Sequence, residues 1–361
     1  MAKPAVKEVD RTLKNPETLA KYKAAGVIAN AALAHVKSLA VEGAKIIDLT
    51  VAGDKFIVDE LAKVYTEDSK IPKAVAFPTS VSPNNIVAHL SPLKTDKEAE
   101  ITLKAGDVVK ITLGAQIDGF GSVVADTIVI PTADGKVDSK AADAIAAAWN
   151  ASQAAIGTIK PGNKNWDVTK IVDEVVKDFG CTALEGMLSH QQLHNNVEGD
   201  KEIILNPTES QKRNFKTQTF AENEIYGLDI LVSSGEGKVR QGEIPTTIYR
   251  KGGITYQLKL QSSRNIYTEI NKKAGAFPYT LRETADIRKA RLGLKECVSH
   301  NLLIAYDVVE EKPDAVVAQF FTTFAITPEG TVILAGPTTP TLTSEKKVSS
   351  EETAKLIANP L

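Results

Sequence analysis

Cysteine, histidine and long apolar runs are scarce in this sequence of 361 residues, and each scarcity closes a class of function. The two cysteines, Cys181 and Cys297, stand far apart with no CxxC and no Cys/His cluster. That excludes the usual zinc modules and a disulfide framework, and leaves two buried thiols in a reducing compartment as the expectation. No window approaches the roughly 18 uninterrupted apolar residues of a membrane span. The opening stretch MAKPAVKEVDRTLKNPE is mixed in charge and lacks an apolar core of signal length. The expected setting is therefore inside the cell and off the membrane.

Catalytic signatures are missing as well. There is no Ser-centred nucleophile elbow, kinase signature or dinucleotide fingerprint. SSGEGK (233–238) is like a phosphate loop only in composition, lacks the following helix, and reads as a hairpin turn. His190 and His194 in SHQQLHNN are four apart, but no Glu stands between them as H-E-x-x-H requires, so they read as a polar surface loop. Asp118 and Asp126 read as structural acids near turns, Asp118-Gly119 being hairpin chemistry.

What is present is a globular composition, 43% hydrophobic, with a formal charge of −2 that hides an asymmetry. Between Lys238 and Lys295 there are 13 Lys/Arg against 4 Asp/Glu. Arg288, Arg291 and Lys295 recur at i, i+3 and i+7, on one side of a helix whose other side carries Ile287, Leu294, Cys297 and Val298. Lys272, Lys273 and Arg282 flank them, and the six form the expected contact set for a phosphate backbone.

The chain also repeats itself. Ala-rich helical patterns at 17–42 and 137–160 are each followed by the same spacing, Gly43, Lys45, Asp48 and Thr50 recurring as Gly162, Lys164, Asp167 and Thr169. The strand GDVVKITLG (106–114) has a counterpart in NEIYGLDILV (223–232). The expected fold is α+β: two related halves, about 17–135 and 136–340, packed as one domain with a mainly antiparallel sheet covered on one face by the long helices. A small helical insert is expected at about 256–305, an N-terminal extension at 1–16, and a mobile polar segment at 341–361.

The duplication, with AFPTSVSPNNIVAHLSPLK (76–94), EGMLSHQ (185–191), NPTESQK (206–212), LVSSGEGK (231–238) and TTIY (246–249), resembles the pita-bread fold of methionine aminopeptidases. It is most similar to the proliferation-associated, ribosome-associated and curved-DNA-binding proteins that share this fold. The likeness runs from about residue 17 to 340, insert included. Active aminopeptidases of this fold hold two metals with two Asp, one His and two Glu. The resemblance puts Thr112, Val123, Met187, Asp229 and Phe321 at those five positions, with His190 as an alternative register for Met187, and His89 at the catalytic-loop histidine. Only Asp229 keeps an acid, and hydroxyl, isopropyl, thioether and phenyl groups supply neither the charge nor the oxygens that a divalent pair needs.

The resemblance thus implies a non-catalytic protein with no metal or other cofactor. It implies association with the large ribosomal subunit and its RNA, roles in ribosome biogenesis, translation or transcription, and a location in cytoplasm and nucleus. Protein partners in the old substrate cleft are a further expectation. Many family members end in a Lys-rich tail, whereas this sequence ends in ETAKLIANPL, so DNA binding is expected to be weakened. The competing readings are a curved-DNA-binding nuclear protein, a residual single-metal aminopeptidase on Asp229 and His89, and a scaffold without nucleic-acid contact.

Overall fold

The computed structural model describes residues 10–361, so the first nine residues of the expected extension lie outside it. Asn15 caps α1 (Pro16–Leu39), its side chain accepting the Glu17 N–H at 3.0 Å, and Pro16 sits in the first turn where no N–H is needed. Ala25, Ala29 and Ala32 line its buried stripe, and their small side chains let the helix lie close on the sheet. Next come α2 (Ile46–Leu61), β1 (Lys73–Pro83), β2 (Val108–Ile117) and β3 (Phe120–Val129).

The second half opens in the same order, with α3 (Ser139–Thr158), α4 (Asn165–Asp178), β4 (Thr182–Ala183), β5 (Leu188–Gln192), β6 (Glu202–Ile204), α5 (Glu209–Asn214) and β7 (Glu224–Ser233). The short β8 (Arg240–Gln241) leads into an insert built from β9 (Ile248–Lys251), α6 (Gln261–Lys273), β10 (Tyr279–Thr280), α7 (Ile287–Ser299) and β11 (Leu303–Ala305). The chain ends through β12 (Val309–Glu310), β13 (Val317–Thr327), β14 (Gly330–Ala335) and α8 (Glu351–Ala358).

The sequence repeat is a helix-entry device. Gly43 and Gly162 hold positive φ, +83° and +94°, in the turns before α2 and α4. Lys45 and Lys164 then stand at the N-caps and make matching isolated bridges to Thr102 and Thr219. Asp167 accepts the Lys164 N–H at 2.8 Å, which satisfies a helix-end donor.

The main sheet runs β1-β2-β3-β13-β7-β5-β6, with every pair antiparallel, β14 beside β13 and β4 beside β7. The Asp118-Gly119 turn between β2 and β3 has positive φ at both residues, as a tight hairpin requires. The halves meet at β3 and β13, which share one backbone pairing, Phe321 with Ala125. Threonine hydroxyls complete this seam. Thr323 Oγ1 accepts from Val123 N and donates to Val123 O at 3.0 and 2.7 Å, while Thr127 Oγ1 does the same for Gln319 at 2.8 and 2.7 Å.

Strand alternation then sorts the side chains. Val109, Ile111, Leu113 and Ala115 of β2 join the core with α1 and α2, as Leu228, Ile230 and Val232 of β7 and Phe320 and Phe324 of β13 join the core with α3 and α4. Thr112, Asp229, Gln319 and Phe321 are left on the face away from the helices.

Four expectations need correcting. SSGEGK joins β7 to β8, which pairs with β12, so it is no hairpin turn; the loop crosses to another small sheet. His190 lies within β5, paired opposite Glu202 and Gly227, because LSHQQ is a short strand too polar for an apolar-run test. Asp126 lies within β3, on the helix side, where it pairs with Lys37 of α1. Residues 341–361, expected to be mobile, pack along α3 and α4. Lys346 pairs with Asp143 at 2.7 Å, Ser349 donates to Asp178 at 2.8 Å, and Leu342, Val348 and Ile357 rest on the core. Three widely spaced apolar residues and a helix capped by Ser350 make that docking, and neither feature shows in bulk composition.

Candidate functional site

The face away from the helices encloses a chamber of about 140 Å3. All six residues placed by the resemblance line it: Thr112 from β2, Val123 from β3, Met187 before β5, Asp229 from β7, Phe321 from β13, and His89 from the loop after β1. His190, the alternative register, lines it too. Period-two alternation on four strands thus converges residues more than 200 positions apart.

Asp229 is the only acid among the five ligand positions. Burial pushes its pKa up to about 7, partly opposed by the Gln319 amide, which donates to both carboxyl oxygens at 2.9 and 3.1 Å. The Thr112 hydroxyl lies 3.1 Å from Gln319 Oε1 and donates to it. Thr112, Gln319 and Asp229 therefore form one hydrogen-bonded relay across the seam between the halves. Gln319 is absent from the sequence-based list, although its place two residues before Phe321 puts it on the same face of β13.

Metallopeptidases of this fold hold two divalent cations, and the residues present do not fit them. Four of the five positions offer no anionic oxygen or imidazole. The single carboxyl already accepts from Gln319 Nε2 at both oxygens, which leaves far too few oxygen lone pairs to hold two divalent ions. Phe321 stands directly opposite Asp229 across the β13–β7 ladder, so a phenyl ring occupies the place of the missing acid.

The chamber wall is aromatic. Phe77, His89 and Tyr306 pack ring to ring, with centroids 5.7, 5.2 and 5.3 Å apart. His89 sits at φ +67°, in the left-handed region unusual for a non-glycine residue. Its Nδ1 approaches the Asp307 carbonyl at 3.3 Å and must donate there, which leaves Nε2 as an acceptor. Burial lowers its pKa, so the ring is neutral at physiological pH. A polar hollow of about 570 Å3 shares His190 and Glu198 with the chamber. Burial works against the Glu198 carboxylate, but Arg250 and the Tyr306 hydroxyl outweigh it and hold its pKa below the usual range.

The insert divides the expected nucleic-acid set. α6 and α7 pack on the sheet β10-β9-β11 around Ile266, Ile270, Leu294 and Cys297; strands two to four residues long explain why only helices were expected. Arg282 does not stand in solvent. It is half-buried between Asp54 of α2 and Ser91, bonded to both. Arg291 pairs with buried Asp96, and Lys273 with Glu269 at 2.9 Å. Lys272, Arg288 and Lys295 are exposed, and among the described residues no carboxylate lies within ion-pair distance of them. Arg264 was missed. It stands two helical turns before Lys272 on α6 and shares with it a shallow hollow of about 480 Å3. The i, i+8 spacing was the available signal.

A family model described as Metallopeptidase family M24 matches residues 20–228. The chain is 48% identical to the "Curved DNA-binding protein" of Schizosaccharomyces pombe, over 98% of this chain and 93% of that protein. It is 42% identical to "Proliferation-associated protein A" of Dictyostelium discoideum, over 97% and 90%. The solved structure of a thermophilic Arx1 superposes with a TM-score of 0.90 at 34% identity, covering 96% of this chain and 99% of that one.

Proposed function

The chain belongs to metallopeptidase family M24, and we propose that it is a non-catalytic member that works by binding the large ribosomal subunit through ribosomal RNA. The observation that carries the loss of catalysis is the replacement of four ligand positions by Thr112, Val123, Met187 and Phe321 around a single acid already bonded to Gln319. A peptidase of this family polarises a carbonyl and activates water on its metal pair. This donor set offers no means of doing either. Two of the three relatives bear names of binding or proliferation-associated proteins, which accords with this reading.

The RNA contact is assigned to the insert's exposed bases, Lys259, Arg264, Lys272, Arg288 and Lys295. Their side chains face water, and among the described residues none of them is ion-paired, so an RNA backbone would gain from each through release of counterions. The setting in this reading is cytoplasm and nucleus. The printed name of the fission-yeast relative supports a second reading, direct contact with curved DNA.

One experiment separates the readings. The protein is sedimented with cell extract through a sucrose gradient, with and without RNase or DNase, across a salt series. Travel with large subunits, release by RNase and weakening with salt are expected. Release by DNase alone would select the DNA reading, and salt-independent travel would remove the insert's role. Stoichiometric metal together with hydrolysis of a Met-Ala peptide would overturn the loss of catalysis.

A further inference from the structure

The chamber keeps features that its loss of metal does not explain. Gln192 is 3% exposed, lines the chamber, and has no hydrogen-bond partner at either Nε2 or Oε1. A buried amide with both ends unmet costs free energy, so a persistent one marks a place where something else completes it. Asp229 poses the same question in charged form. Among the described residues its carboxyl meets only the neutral Gln319 amide, and no Lys, Arg or protonated His compensates it. His89 Nε2 is a third acceptor. Around these groups stand four rings, Phe77, His89, Tyr306 and Phe321.

We propose that the chamber is a binding site for a primary alkylammonium group, the end of a lysine side chain or of a free diamine. An ammonium brings three N–H donors and one positive charge, which answer Asp229, Gln192 Oε1 and His89 Nε2 together. Its methylenes lie against Phe321, Val123 and Met187, and aromatic walls favour a cation near their faces. Size agrees: about 140 Å3 is close to the roughly 150 Å3 of a protein cavity that takes benzene, and an ammonium with four methylenes has five heavy atoms. The shared polar hollow carries Glu198, Asp200 and Glu202 against Arg250 and Lys216, an acid-rich approach for a cation. An anion would meet Asp229 and be repelled. A purely apolar ligand would leave Asp229 and both ends of Gln192 unmet, whereas an ammonium meets Asp229 and Gln192 Oε1.

The test is calorimetric titration of the full chain, with side-chain NMR shifts at Gln192 and Met187 to locate the ligand. Four probes are compared: Nα-acetyl-lysine amide, 1,5-diaminopentane, the uncharged isostere Nα-acetyl-norleucine amide, and Met-Ala amide with its free α-amine. Both side-chain amines should bind about tenfold or more tighter than the norleucine probe, and Asp229→Asn and Gln192→Leu should each weaken them about tenfold. Tighter binding of the lysine amide assigns the site to a polypeptide partner, and tighter binding of the diamine assigns it to a free amine. Equal affinity for norleucine, indifference to both substitutions, or binding of Met-Ala amide alone would overturn the proposal. So would silence from both amines at about 10 mM, about tenfold above a ~1 mM Kd. No ribosome is present, so failure here leaves the reading of the insert standing.

Discussion

The chamber and the insert use charge in opposite ways. In the chamber the Asp229 carboxyl, which has no cation beside it among the described residues, is walled by phenyl, isopropyl and thioether groups, and its neighbours can be named one by one. On the insert, Lys259, Arg264, Lys272, Arg288 and Lys295 stand in water, none of them ion-paired among the described residues. Between these extremes lie Arg250, Arg282 and Arg291, counted with the insert's bases but committed to Glu198, Asp54 and Asp96 of the body. A charge count weighs all of these alike. The structure shows that the three arginines fasten the insert, while three lysines and two other arginines stay exposed and without an ion pair among the described residues. Arginine suits fastening because its planar fork pairs firmly with a carboxylate and stays charged when buried.

The contrast can be broken most sharply inside the chamber. Phe321→Glu sets a second carboxyl opposite Asp229 with no cation to share, and urea unfolding should show a loss of about 4 kcal/mol. Nearly as large is the pH effect of Asp229. Its folded pKa of about 7 lies above the ordinary 3.8 of an aspartate, so the fold binds the proton more tightly than the unfolded chain does. Its contribution is fully present below about pH 4 and is lost as pH rises through 7. Asp229→Asn removes that dependence, so the stability difference between variant and parent should move toward the variant by up to ~4 kcal/mol between pH 4 and 8.

Next comes Arg282→Ala, which leaves the half-buried Asp54 without its cation and should cost about 3 kcal/mol, measured in the same way. Replacing Lys272, Arg288 and Lys295 together by Glu should leave folding intact but weaken subunit co-sedimentation, and lower the slope of log affinity against log salt by about 3 or more. The smallest effect is expected of Lys295→Ala alone, with an unmoved unfolding midpoint and a salt slope lower by about 1. If Arg282→Ala behaved like Lys295→Ala, the distinction between fastening and contact residues would fail.

Much of this was legible beforehand because it rests on local period and spacing. The repeated Gly-x-Lys-x-x-Asp marks two helix entries, whereas the family resemblance places Thr112, Val123, Asp229 and Phe321, and the structure sets them on one face by strand alternation. Gln319 follows from the same alternation once Phe321 is placed. The partners of the arginines do not follow, since Asp54 and Asp96 lie about 200 residues earlier and no local rule links them to Arg282 and Arg291. The insert's strands escaped notice because two to four residues carry no readable period. Gln192 reads as one more residue of a polar surface loop, and only its burial without a partner makes it informative.

The three arginine fastenings have a geometric consequence. They reach separate parts of the body: α2 through Asp54, the loop before β2 through Asp96, and the loop after β5 through Glu198. Three anchor points that do not share an element fix an object in orientation as well as position. The insert is therefore a set square on the body, and any surface gripped by α6 and α7 is held at one angle and one distance from the chamber mouth.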